Sequence, residues 1–261
     1  MKTLLSALAI ATTLATPSLA APVISLTYDA HQGEYNQALT NLGYSFTAYD
    51  YATSDWSSIL SGTDVFLIGE ISNLELNTSD ATRAAVTSFV QSGGTLVVHY
   101  PIGATNGTLA FLNQTFGLSL WLGSSGCTGL NTYYLNEDAA AGTTFEGGHA
   151  LLHDVSCTAS VNSDSLPAEA LNLYSDGRYT SVFALGFGEG QLVVLGWDMC
   201  ASCVFPLYAV LWHDVLDRAI RFKAKRAEGE APVRVPEAAT VGLLGFGLAG
   251  VALARRRRKA A

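Results

Sequence analysis

The stretch SFVQSGGTLVVHY, residues 88–100, decides the fold. Its first residues have the spacing of a helix's last turns. Gly93-Gly94 then stops the helix, because glycine accepts the left-handed backbone of a C-terminal cap, and TLVVHY (95–100) follows at once. A strand with apolar side chains at consecutive positions is covered on both faces, as in the middle of a parallel sheet. Residues 64–69 (DVFLIG) repeat that signature. Between the two runs, Asn77-Thr78-Ser79-Asp80 offers a helix cap before a pattern with Ala81, Ala85, Phe89 and Val90 on the buried side. Upstream, residues 23–28 read as a strand, 33–42 as a helix, 44–49 as a second strand and 56–60 as a short helix. Downstream, 109–116 reads as a helix. Such an alternation is built most simply from parallel strands with crossover helices, so a doubly wound α/β domain with a mainly parallel sheet is expected.

The second half is less regular. Residues 118–135 suggest extended segments, 137–166 read as rich in loops, and 181–186 with 191–197 form a hairpin around Gly188-Glu189-Gly190. A closing helix follows Pro206, with Leu207, Val210, Leu211, Val215 and Ile220 expected to face the core. There is no internal repeat.

Both ends carry export features. Lys2, an apolar run from Leu4 to Leu14 and Ser18-Leu19-Ala20 have the order of a secretory signal peptide over residues 1–20, with the mature chain starting at Ala21. The apolar run is too short to span a bilayer. At the other end Pro236-Glu237-Ala238 precedes an apolar, glycine-containing segment (239–254) and then Arg255, Arg256, Arg257, Arg258 and Lys259. The basic cluster belongs on the cytoplasmic side, which places the preceding domain outside. Residues 22–224 are long enough for one domain with its own core, and KRAEGEAPVRV (225–235) reads as a linker.

Residues 22–224 hold five Lys and Arg against nineteen Asp and Glu, a formal charge of −14. That excludes the electrostatics by which proteins hold nucleic acid. Four cysteines, Cys127, Cys157, Cys200 and Cys203, are an even number in a chain bound for an oxidising compartment. Three pairings are possible; Cys127 with Cys157 and Cys200 with Cys203 is the expected one. Cys200-Ala-Ser-Cys203 could instead be a redox pair, or all four could hold zinc.

The C-terminal pattern resembles the PEP-CTERM protein-sorting signal, with Ala238 in place of the motif's second proline. The resemblance implies an exosortase-like membrane processing enzyme as partner and an exopolysaccharide-producing setting. The domain resembles the class I glutamine-amidotransferase-like fold, in its ThuA-like flavour. DVFLIG, SFVQSGGTLVVHY, Gly148-His149 and FGEGQLVVLGWD (187–198) carry that resemblance. It implies a flavodoxin-like sheet and a nucleophile just after the central strand, where this chain has Tyr100-Pro101-Ile102-Gly103, without Cys or Ser. Covalent amidotransferase chemistry is thereby disfavoured. Ser125-Gly126-Cys127-Thr128-Gly129 has the outline of a nucleophile elbow but comes one unit too late.

Open α/β sheets bind ligands beyond the carboxyl ends of their strands. The strand assignment puts Asp29 and His31, Glu70, His99 and Asp198 there as candidate acid–base groups, with Tyr100 and Trp197 as candidate ligand contacts. His149 and His153 have the i, i+4 spacing of helical metal ligands but lack the accompanying glutamate, so no metal and no cofactor are expected. The expected function is an exported, membrane-tethered surface or periplasmic protein, released after any processing of its tail. Its domain is non-catalytic and binds a glycan or small ligand, or serves a structural role. The alternative is a hydrolase or sugar-modifying enzyme working through the strand-end carboxylates and imidazoles.

Overall fold

The computed structural model describes residues 21–28, 32–52, 54–100, 105–126, 131–154, 158–197, 199 and 206–222. The chain opens with β1 (Ile24–Tyr28), α1 (Gln32–Asn41), β2 (Phe46–Asp50), α2 (Trp56–Leu60) and β3 (Val65–Ile68). It continues through α3 (Leu74–Asn77), α4 (Asp80–Gln91), β4 (Thr95–His99) and α5 (Thr105–Phe116). The cap signal before α4 is real: Ser79 Oγ accepts from the Thr82 amide at 3.1 Å. Ala81, however, is exposed and Ala85 and Phe89 are half-buried, while Val86 and Val90 fill the buried stripe.

The remaining elements are β5 (Leu122–Gly126), β6 (Thr132–Leu135), α6 (Glu137–Ala140), β7 (Leu151–His153), β8 (Thr158–Asn162), β9 (Leu171–Ser175), β10 (Tyr179–Phe187), β11 (Gly190–Leu195) and α7 (Pro206–Ile220). Residues 137–166, expected to be loop-rich, therefore contain two strands. Of the residues expected to face the core, Val215 and Ile220 are buried and Leu211 is half-buried, but Val210 in α7 is 63% exposed; Trp212, Leu216 and Ala219 also pack inward.

The sheet runs β2-β1-β3-β4-β11-β10-β9-β6-β7, with β8 added to β10 and β5 to β8. Strands β2, β1, β3, β4 and β11 are mutually parallel. The hairpin from β10 to β11 reverses the direction, and every described pairing beyond it is antiparallel. The sheet is thus mixed, with a parallel core, and not mainly parallel. Gly190 begins β11 where no side chain fits, since a Cβ there would lie 2.1 Å from the Val90 carbonyl oxygen.

Helices cover both faces. Val65 and Leu67 of β3 point into a layer with α1 and α7, whereas Phe66 and Ile68 point into a layer with α2, α4 and α5. This is the period of two that lets a fully apolar strand serve two cores. Because α7 runs back against the strands, its end at Ile220–Phe222 and the start of the domain at Ala21 and Pro22 meet at the amino edge of the sheet. There they line one cavity of about 1200 Å³. Among the described residues no helix is long and apolar enough to cross a membrane; the segments expected at 1–20 and 239–254 lie outside them.

Candidate functional site

At the carboxyl ends of the parallel strands, β3 leads into Gly69 and Glu70, β4 into Tyr100, and β11 into Gly196 and Trp197. His99, the last residue of β4, is fully buried. Its Nδ1 lies 2.9 Å from the Trp197 carbonyl oxygen. A carbonyl oxygen only accepts, so Nδ1 carries the proton and Nε2 is left as a lone pair. Burial lowers the ring's pKa to about 4, opposed by the hydrogen bond to Trp197, and the imidazole is neutral at physiological pH. Among the described residues Nε2 has no hydrogen-bond partner, and the edge of Tyr35 meets the ring at 5.0 Å between centroids.

Tyr35 also ties this position to β3, for the Glu70 amide donates to Tyr35 Oη at 3.0 Å. Glu70 itself is half-buried. Trp197 is buried, with Trp212 and His213 each 5.8 Å away between ring centroids. Burial lowers the pKa of His213. Tyr100 packs in the opposite layer, among Ile71, Leu74 and Leu109, and burial raises its pKa above the usual tyrosine range. Its Oη and the Trp197 Nε1 have no hydrogen-bond partner among the described residues.

Of the sequence-predicted groups, then, His99, Trp197 and Glu70 are joined through Tyr35 and one carbonyl, while Tyr100 faces away. Neither aromatic ring is exposed as a stacking face. Asp29, His31 and Asp198 lie outside the described residues, as do Cys127, Cys157, Cys200, Cys203, Pro236, Glu237 and Arg255 to Arg258. Met199, next to the end of β11, is buried with φ at 61°, a left-handed backbone that side chains rarely adopt. Such strain concentrates where a site fixes its backbone.

His149 and His153 do not share a helix face, because 151–153 is a strand. His149 Nε2 stands 3.8 Å from Asp214. His153 Nδ1 stands 3.3 Å from Thr132 Oγ1, and the His153 carbonyl accepts from Trp212 Nε1 at 3.2 Å. Among the described residues no group of three potential metal ligands comes together.

Asp154 is the residue that sequence reasoning passed over as a site in its own right. It is fully buried and accepts from Asn131 Nδ2 at 2.9 Å through Oδ2; Oδ1 has no partner among the described residues. Burial pushes its pKa up to about 6, with the Asn131 contact and the Thr158 backbone amide opposing. An acid with a raised folded pKa binds its proton more tightly when folded. The folded state is therefore favoured below the unfolded value and loses that advantage as pH climbs through about 6. Asp154→Asn, which keeps an oxygen for Asn131, is expected to stabilise the domain at pH 7.5 by on the order of 1–3 kcal/mol. At pH 4.5 the gain should shrink to roughly a third of that. Thermal melts of both proteins at the two pH values check this; an unchanged gap between them would show that Asp154 is not the titrating group.

Comparison with known proteins bears on the tail and on the fold. Residues 234–258 match the PEP-CTERM protein-sorting motif, which implies an exported, exosortase-processed cell-surface protein. No curated protein matches the chain. The fold is similar to that of a cytoplasmic protein from Salmonella typhimurium LT2, with a TM-score of 0.56 and 11% identity over 76% of this chain and 99% of that one. A ThuA-like protein from Bacteroides uniformis is similar at a TM-score of 0.53 and 13% identity, over 79% and 94% of the two chains. A protein assigned to GMP synthase from Thermoplasma acidophilum gives 0.50 and 12%, over 76% and 92%. The domain thus shares its fold with ThuA-like and class I amidotransferase-like proteins.

Proposed function

We propose that residues 1–20 carry this protein out of the cytoplasm, that the mature chain starts at Ala21, and that residues 22–224 form one flavodoxin-like domain that binds and does not transform its ligand. Residues 225–235 are then a linker, and 236–259 hold the chain at the outer side of the membrane until an exosortase releases it. The match of residues 234–258 to the sorting motif is the observation that carries this reading. The parallel core with helices on both faces supports the flavodoxin-like assignment.

For the domain's chemistry, the position after the central strand supports binding over covalent catalysis. Tyr100 there is buried with its hydroxyl turned into the α2–α4–α5 layer, and the neighbouring imidazole, His99, is sealed from solvent. General acid–base work needs a group within reach of the proton it moves. The strand-end location and the ThuA-like likeness favour a glycan or small polar ligand. Such a ligand would meet Glu70 and the segments carrying Asp29, His31 and Asp198, not the buried rings.

The released soluble protein is expected to retain particular glycans on an array and to return them with unchanged mass after long incubation. Recovery of shortened or modified glycans would replace this reading with the hydrolase one.

A further inference from the structure

Both hydrophobic layers reach the surface at the amino edge of the sheet. Leu60 and Phe89 come from one layer and Ile220 and Phe222 from the other, and all four line the cavity of about 1200 Å³ there. Ser57, Ser88 and Ser92 are exposed on its lining. Ala21, where the mature chain is proposed to start, and Phe222, where the described chain ends, both stand in its wall. Once residues 1–20 are removed, the chain led directly into this space is the one that follows Phe222.

We propose that residues 223–235 lie in this groove, between α2 and α4 on one side and α7 on the other. Thirteen residues reach roughly 43–47 Å when extended, whereas passing under three neighbouring strands takes about 10 Å. The segment can therefore cross the groove and still deliver Pro236 beyond it. Its composition suits the lining: Ala224, Ala227, Ala231, Pro232 and Val233 are small and apolar. Lys223, Lys225, Arg226 and Arg234 outweigh Glu228 and Glu230, so the segment brings a net positive charge to a strongly acidic domain. Docking shortens the tether, so the sorting motif is presented to its processing enzyme at a fixed distance below the domain. That consequence rests on the tail reading above; the docking does not.

The test uses the full chain, made in a host without the processing enzyme and extracted in detergent. Trypsin cleavage is followed at Lys225, Arg226 and Arg234, with the exposed Arg178 as a control for an intact domain. Ser88→Trp and Ser57→Trp each fill the groove from an exposed position on a different helix of the same wall. Each is expected to speed cutting in the linker by about tenfold, since cleavage follows the population of the undocked state, while cutting at Arg178 stays the same. Equal linker cutting in all three proteins overturns the proposal. Protection that fades on dilution assigns the groove to a second copy, and protection found in lipid vesicles but not in detergent assigns it to the bilayer; either result overturns it too.

Discussion

A chain ended after Arg234 is expected to leave the membrane fraction almost completely and to accumulate as soluble exported protein. The segment it loses, residues 239–254, is apolar apart from Thr240 and carries no charge. As a helix its sixteen residues extend on the order of 24 Å, against a hydrocarbon core of about 30 Å. The shortfall is small enough for local thinning of the bilayer and for snorkelling by the arginines that follow. Arg255 to Arg258 then resist crossing, which fixes the orientation with the domain outside. The rest of the mature chain offers nothing comparable: among the described residues no helix is long and apolar enough to span. Fractionation with an alkaline wash measures the outcome. A truncated protein that still sediments with membranes would mean that the chain is held by some other part.

That prediction comes from the most legible part of the sequence, and the domain shows why legibility falls off elsewhere. VFLI and TLVVH are apolar at nearly every position because both sheet faces are covered, so β3 and β4 could be placed almost to the residue. Strand β8 reads TASVN and escaped notice. Its buried positions include Thr158 and Ser160, both fully inaccessible, and hydroxyls in a core erase the pattern that reveals a strand. The four-residue α3 failed for want of length, and β9 (LNLYS) because polar residues interrupt its apolar run. In α7 the apolar spacing admitted Val210, but the large ring of Trp212 took the inward position and turned Val210 to solvent.

The candidate site was legible only as a place. Strand order fixes where the carboxyl ends fall, and His99 and Trp197 lie together there. Whether an imidazole at the end of an apolar run faces a ligand or the core depends on α1 and α7, and nothing local encodes that. Tyr35 and the Trp197 carbonyl settle it for His99. Asp154 was hidden for the same reason, as its burial arises from neighbours far along the chain.

Cys157→Ser in the exported protein is expected to cost about 3–4 kcal/mol, the value for closing a loop of some thirty residues, and to lower the melting temperature by roughly 10 °C. Strand register is the reason. β5 and β8 are antiparallel, with Ser125 opposite Ala159 and Gly126 opposite Thr158. Cys127 and Cys157 lie outside the described residues; if the register continues by one residue, they would stand opposite each other, the pairing expected from the sequence. Residues directly opposite in antiparallel strands have Cα atoms about 4.5–5.5 Å apart, inside the range of roughly 4.4–6.8 Å that a disulfide bridges. Wild-type protein treated with reductant should fall to the stability of the serine variant, and the variant should not respond to reductant through this pair. Proteolytic fragments of the unreduced protein should contain Cys127 joined to Cys157. A fragment joining Cys127 to Cys200 or Cys203, or four cysteines that alkylate without reduction, would show that the register does not continue past Gly126.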